Sequence, residues 1–257
     1  MKYLLSVALA SLIMYACNPE AAKEKKESTK TEQTKKVKKP VEQAKQVAPK
    51  PTGNVVAPEF NKKTKVGKEG RKVKISTSYG DMVAILYDET PQHRDNFIKL
   101  ADAGYYNDML FHRVIAGFMI QGGDPISKTA TKGQPLGMGG PGYTVPAEFN
   151  SELFHKKGAL SAARLGDAQN PQKASSGSQF YVVQGRKYPE AQMGAIKNEE
   201  AKKAYAEVGG TPNLDGGYTV FGQVIEGLDV IDKIAAVQKD ARDRPLEDVK
   251  MTVTVIK

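Results

Sequence analysis

Between Phe111 and Asp124 the chain reads Phe111-His112-Arg113-Val114-Ile115-Ala116-Gly117-Phe118-Met119-Ile120-Gln121-Gly122-Gly123-Asp124. One Arg and one Gln stand among apolar residues, and the stretch then turns on paired glycines. This pattern constrains the fold, because a guanidinium buried without a partner is expensive. The segment reads as two short antiparallel strands joined around Ala116-Gly117. The rest of the chain can be read as delivering, walling or anchoring it.

From residue 71 onward, short apolar alternations recur between turn residues. Val73, Ile75 and Thr77 alternate with polar neighbours, Tyr79-Gly80-Asp81 turns, and Met82 to Tyr87 returns as a strand. Thr90-Pro91 reads as an N-cap and first helical position. Phe97, Ile98, Leu100 and Ala101 supply the face of that helix, and Gly104 stops it. Gly158 to Arg164 is a strand of small residues, and Ser178 to Val183 is the next clear strand. Asn198 to Val208 is helix-prone and ends at Gly209-Gly210. Tyr218 to Val224 is a strand, Leu228, Ile231, Ile234 and Ala235 mark a helix face, and Val249 to Val255 alternates in a last strand. About eight short strands, a helix near each end and a helical insertion predict a mainly β fold. The expected architecture is a closed eight-stranded antiparallel barrel capped by two helices, which leaves no sheet edge exposed.

Several chemistries are excluded by what the motifs lack. The glycine-rich loop Gly133 to Gly142 has no Gly-Lys-Ser/Thr ending with which to hold nucleotide phosphates and Mg²⁺. Its backbone is expected instead to pass close to something or to turn sharply. Gly177-Ser178-Gln179 is no nucleophile elbow, because no strand-turn-helix context surrounds it. His93 has no second ligand at metal spacing and is expected to be solvated. His155 is expected to be exposed. His112 should point to the opposite strand face from Arg113 as a satisfied structural residue. No metal and no cofactor are expected.

The first 70 residues differ from the body. A single Lys2 precedes an apolar run from Leu4 to Ala16, which has the layout of a secretory signal and is too short to span a bilayer comfortably. Cys17, the only cysteine, follows at once, so the chain has no internal disulfide. The position resembles a bacterial lipobox, in which the Cys becomes the lipidated first residue. That likeness implies residues 1–17 as signal and a membrane anchor on Cys17. It also implies a place in the bacterial cell envelope on the periplasmic side, at the outer membrane rather than the inner.

Residues 18–70 carry 14 Lys against 7 Glu, which is +7 of the formal net charge of +9. With few large apolar residues such a segment cannot offset its ordering entropy, and it is expected to be a disordered tether. As a flexible coil it would span roughly 40 Å. The body, residues 71–257, is nearly neutral, so a nucleic-acid-binding face is not supported.

With the strands placed, the chain resembles the cyclophilins, the cyclosporin-binding class of peptidyl-prolyl cis-trans isomerases. Phe111 to Asp124 is similar to the family's central signature almost throughout. Gly137-Met138-Gly139-Gly140, Gly177-Ser178-Gln179-Phe180-Tyr181, and Leu214-Asp215-Gly216 with Val220-Phe221-Gly222 agree in order and spacing, from about Lys72 to Lys257. The resemblance implies Arg113 as the catalytic residue. It places Phe118, Met119, Gln121, Tyr181 and Leu214 at pocket positions, and Gly137, Ala163, Arg164 and Gln179 along the substrate groove.

Four positions depart from the common pattern. Tyr218, also assigned to substrate binding, stands where many members have His, Arg164 where many have Asn, and Tyr181 where many have Phe. Asn213 replaces the Trp of cyclosporin-sensitive members, which argues against tight drug binding. The Lys187 to Thr211 connection is longer than in minimal members. The implied partners are proline-containing polypeptides, met by a monomer that assists folding of exported proteins. The competing reading is a non-enzymatic module of the cell envelope that binds proline peptides or acts as a chaperone.

Overall fold

The computed structural model describes residues 71–257; the expected signal, Cys17 and the tether at 18–70 lie outside the described residues. The chain begins with a hairpin, β1 (Arg71–Thr77) and β2 (Gly80–Leu86), followed by helix α1 (Pro91–Asp102). Then come β3 (Met109–Leu110), β4 (Arg113–Ile115), β5 (Met119–Gly122), β6 (Thr144–Val145), β7 (Ala159–Ala162), β8 (Ser175–Ser176) and β9 (Phe180–Val183). Helix α2 (Glu199–Glu207), β10 (Val220–Glu226), α3 (Leu228–Ala235) and β11 (Lys250–Ile256) complete it.

Nine strands form one antiparallel sheet in the order β3-β11-β1-β2-β10-β7-β9-β5-β4, and β6 pairs separately with β8. The two edge strands, β3 and β4, are consecutive in the chain, with only Phe111 and His112 between them. A nine-stranded sheet whose edges are two residues apart has to curl round on itself, which is the curvature expected of a barrel wall. The expectation of eight strands falls short because β3 is a two-residue ladder following Asp108 at positive φ, too short to show alternation. Helices α1 and α3 are the two capping elements expected, and α2 is the helical insertion, capped by Asn198 accepting from the Ala201 amide at 3.0 Å.

Strand periodicity divides the residues cleanly. Val114, Ile120, Leu160, Ala162, Phe180 and Val182 point into the barrel and join Val73, Ile75, Phe97, Phe221, Ile231 and Val253 in one core. Phe97 from α1 lies at the centre of it. Its ring meets Tyr106 at 4.9 Å, Phe180 edge-on at 5.2 Å and Phe221 at 5.4 Å. The alternate residues Met119, Tyr181, Val183 and Ala163 face outward and form a second cluster. A third, smaller cluster of Met193, Ala201 and Tyr205 belongs to the connection between β9 and β10.

Two histidines expected at the surface are buried. His93 holds Glu148 through Nδ1 at 2.6 Å and Ser175 Oγ through Nε2 at 2.9 Å. The same carboxylate accepts the Gln92 and His93 amides at 3.1 and 3.0 Å, which satisfies the first turn of α1 in place of a side-chain cap from Thr90. The hydroxyl-imidazole-carboxylate order imitates a hydrolase triad, yet Ser175 is buried and lines none of the larger cavities. His155 is fully buried between Asp215 and Tyr181. Both partners lie far away in sequence, so local polarity could not reveal either burial.

Candidate active site

Register places the site. Arg113 on β4 faces Gln121 on β5, Gln121 faces Tyr181 on β9, and Tyr181 faces Ser161 on β7. Directly opposed residues project to the same side of a sheet, so Arg113, Gln121 and Tyr181 make one row on the outer face of the barrel. Ile115, Met119 and Val183 make the next row by the same pairing. Over these rows opens a cavity of about 350 Å³. Arg113, Phe118, Met119, Gln121, Gly137, Ala163, Arg164, Tyr181, Leu214 and Tyr218 all line it. These are the residues assigned from sequence, apart from Gln179. That side chain lines an adjoining cavity of about 520 Å³, which shares Gln121, Gly137, Ala163 and Arg164 with the first.

A chain of amides orients the guanidinium. Gln179 spends both hydrogens of its amide nitrogen on the carbonyls of Gly137 and Gly139, at 3.0 and 2.7 Å. Its oxygen therefore faces Gln121, whose amide nitrogen donates to it at 3.2 Å. The Gln121 oxygen is left to accept from Arg113 Nη1 at 3.3 Å. Each link fixes the orientation of the next, so the glycine loop sets the angle of the Arg. The loop is in turn wrapped round Asp124, which accepts the Gly137 and Gly139 amides. A Cβ on Gly139 would sit 2.1 Å from Asp124 Oδ1, so this approach requires glycine. The close passage expected of the loop is thus to Asp124.

The remaining walls come from the distant loop at 212–218. Leu214 ends a short 3₁₀ turn, Pro212–Leu214. Tyr218 packs edge-on against Tyr181 at 6.1 Å and lies under the Arg164 guanidinium at 4.3 Å. The Arg164 side chain is committed elsewhere: it donates to Gly217 O at 2.8 Å, Leu165 O at 2.9 Å and Asp167 at 2.6 Å. The last contact holds the Asp167 carboxyl below its usual range. Asn213 is exposed and does not line the cavity.

Sequence reasoning missed part of the lining. Gln134, Pro135 and Leu136 come from the glycine loop, and Asp240, Arg242 and Arg244 from the segment before β11. Arg244 is a tie between loops, donating to Thr131 O and Gln134 O at 2.9 Å each. His112 also reaches the cavity, and among the described residues neither of its ring nitrogens meets a hydrogen-bond partner, contrary to the satisfied role expected of it. Burial holds its pKa down to about 4, against the opposing pull of the Asp124 carboxylate and with the help of Arg113 and Arg244.

An outward cavity with an apolar floor of Phe118, Met119, Tyr181 and Leu214, beside which Gln121 holds the Arg113 guanidinium, on a curled antiparallel sheet with helical caps, is the arrangement expected of a barrel-type proline-peptide isomerase. The family model for "Cyclophilin type peptidyl-prolyl cis-trans isomerase/CLD" matches residues 72–255. A protein of Staphylococcus saprophyticus provisionally named a peptidyl-prolyl cis-trans isomerase is 42% identical over 200 residues, covering 75% of this chain and 93% of the relative. One of Streptococcus pyogenes, provisionally named a bifunctional phosphatase/peptidyl-prolyl cis-trans isomerase, is 45% identical over 190 residues, 70% of this chain and only 37% of that longer protein. Among solved structures, a cyclophilin-type isomerase of Cryptosporidium parvum superposes with a TM-score of 0.54 at 26% identity, covering 73% of this chain and 98% of its own. The chain belongs to the cyclophilin-type peptidyl-prolyl cis-trans isomerases.

Proposed function

We propose that Arg113 catalyses rotation about X-Pro bonds of polypeptides held in the 350 Å³ cavity. The barrier to be lowered is about 18–20 kcal/mol, and uncatalysed exchange takes tens of seconds or more. No bond to carbon is made or broken, so the reaction calls for neither a nucleophile nor a metal. Twisting the amide costs it resonance and leaves a lone pair on the prolyl nitrogen. A cation that donates a hydrogen bond there favours the twisted state over the planar one.

Arg113 is always charged and holds its donors in a rigid fork. Phe118, Met119, Leu214 and Tyr181 supply an apolar seat for the proline ring, which fixes the nitrogen side while the carbonyl side turns. Gly137, Ala163, Arg164, Gln179 and Tyr218 border the path of the peptide. The observation that carries the reading is the ordered chain from Gly137 and Gly139 through Gln179 and Gln121 to Arg113, because it fixes a charged donor beside the apolar seat of Phe118, Met119, Tyr181 and Leu214.

The same cavity without turnover would make a binding module. The aimed donor favours the enzyme, since holding proline needs only the apolar seat. The same Cryptosporidium parvum cyclophilin was also solved in the presence of the dipeptide Ala-Pro, which makes Ala-Pro peptides the probe for both readings. A protease-coupled assay on Ala-Pro substrates should show turnover by the full chain and its loss in Arg113→Ala, with peptide affinity largely kept. Equal turnover in the two proteins would overturn the role of Arg113.

The cellular setting completes the proposal. The apolar run ending at Cys17 and the Lys-rich segment after it support a monomer anchored by lipid on Cys17 in a bacterial envelope. There it would face the periplasm, at the outer membrane rather than the inner, and assist folding of exported proteins. Growth with a radiolabelled fatty acid should label the wild type and leave Cys17→Ser unlabelled and in the soluble fraction. Equal labelling of both would remove the anchor from the proposal.

A further inference from the structure

The cavity lies on the outer face of the sheet, where strand alternation places nothing behind Tyr181. The side chain is nevertheless buried, and its hydroxyl is held from the rear by His155 Nε2 at 3.0 Å. His155 Nδ1 meets Asp215 Oδ1 at 2.8 Å, and the other carboxylate oxygen accepts from Tyr205 Oη at 2.6 Å. One proton arrangement satisfies every link. The acceptor-only carboxylate takes Tyr205 O–H and His155 Nδ1–H, which leaves Nε2 to accept from Tyr181. The His155 backbone amide adds a further donor to Asp215 at 2.9 Å. The imidazole and the Tyr181 ring stack with 12° between their planes.

Tyr205 belongs to α2, in the connection between β9 and β10 that is longer than a minimal barrel needs. Its ring is fully buried among Phe154, Tyr188 and the small cluster around Met193 and Ala201. That connection is pinned at its base. Gly210 bridges both Lys156 and Arg186, and a Cβ on it would stand 2.3 Å from His155 O. The next residue, Thr211, donates its amide to His155 O at 2.9 Å, and the turn carrying Leu214 follows at once. The extra segment therefore ends against the residue that backs Tyr181, and its buried Tyr205 hydroxyl reaches the carboxylate that orients that residue.

We propose that the 187–211 connection is a positioning element for the proline seat, with Tyr205, Asp215 and His155 as positioning residues that hold Tyr181 through the hydrogen-bond chain. The inference rests on the reading of the cavity as the seat for proline. It gives the insertion a role in substrate affinity. Tyr181 meets the ring in the planar and the twisted state alike, so loosening it weakens both equally.

The test is a double-mutant cycle on the full chain, read by protease-coupled turnover and by titration of an Ala-Pro peptide. Tyr205→Phe removes one hydroxyl and keeps the ring. The expected result is a KM raised about 3- to 10-fold with kcat within about twofold of wild type, matched by the peptide dissociation constant. In a Tyr181→Phe background, where the chain is already cut, Tyr205→Phe should change KM by less than about twofold. Asp215→Asn should repeat this pattern, and it serves as the second entry to the cycle if Tyr205→Phe does not fold. Multiplicative effects of the two substitutions, or an unchanged KM in Tyr205→Phe, would overturn the inference. A wild type that binds the peptide without turning it over would instead remove the catalytic reading and leave the positioning test to the affinity measurement.

Discussion

Strands β1, β2 and β11 share one interior with β4, β5, β7 and β9, yet the two groups differ in what they present outside. On the first group the outward residues are partly or fully exposed and mostly polar: Lys72, Lys74, Ser76 and Asp81, with Thr252 and Thr254 beside them and half-buried Val83 and Ile85 as the apolar exceptions. On the second, the outward row is Arg113, Gln121 and Tyr181 and lies half-buried or buried. The inward residues of both groups obey the same rule, every second position apolar and packed. The difference comes from loops. No residue of β1 or β11 lines either of the two cavities at the site, whereas the glycine loop at 133–142 and the turn at 212–218 wall the outer face of β4 to β7 into a cavity. A barrel of this kind keeps its stability inside and its chemistry outside, and loop length decides which part of the outer wall becomes a site.

That division can be broken experimentally. The largest expected effect is on the shared interior. Phe180→Ala, which removes a fully buried ring from the aromatic core, should cost about 3–5 kcal/mol in denaturant unfolding and lower activity only as far as the fold is lost. Arg113→Ala, one face away on the same barrel, should do the reverse. Turnover of an X-Pro peptide should fall about 10²–10³-fold while the denaturation midpoint stays within error. A large midpoint shift in Arg113→Ala would mean that the outer row carries the fold as well as the chemistry.

His112, at the junction of the two sheet edges, sharpens the comparison by pH. Its folded pKa of about 4 lies below the ordinary value of 6.5, so the unfolded chain binds the proton first as pH falls. Stability contributed by keeping this ring neutral is therefore complete above about pH 6.5 and declines as pH drops towards 4. The loss is about 3 kcal/mol over that window. Thermal melts between pH 4 and 7 should show a shallower slope in His112→Gln, and an unchanged slope would mean that other groups govern the acid limb. The smallest effect belongs to the exposed side. Lys74→Ala removes one end of an exposed 3.4 Å pair with Asp81 and should shift stability by less than about 0.5 kcal/mol, with turnover unaltered.

Much of this division was legible in the chain before folding. The period-two pattern of Val73, Ile75, Val253 and Val255 announces strands half-buried on one face, and Arg113 opposite Gln121 follows from a hairpin turning at Ala116-Gly117. The glycine loop declared a close approach without naming what was approached. Its object, Asp124, is the last residue of the motif, but the hydrogen bonds run through a loop whose path composition does not encode. His93 and His155 show the limit most plainly. His93 lies between Gln92 and Arg94 and His155 just before Lys156-Lys157, and each is buried by a carboxylate more than fifty residues away.

By itself, the sequence determined which residues alternate into a barrel core, where the turns fall, and that one Arg and one Gln share a strand pair. It also marks a basic, apolar-poor segment apart from a near-neutral body. These are local properties, set by side-chain period and by composition. Only the tertiary structure decided that Gln179 passes its orientation through Gln121 to Arg113, and that Leu214 and Tyr218 complete the cavity. It also decided that Tyr205 of the insertion reaches Tyr181 through Asp215 and His155. The physical reason is the directionality of hydrogen bonds. A donor and an acceptor must meet within about 3 Å at a narrow range of angles. Hydrophobic burial asks only that a residue face inward, which its place in a strand already specifies.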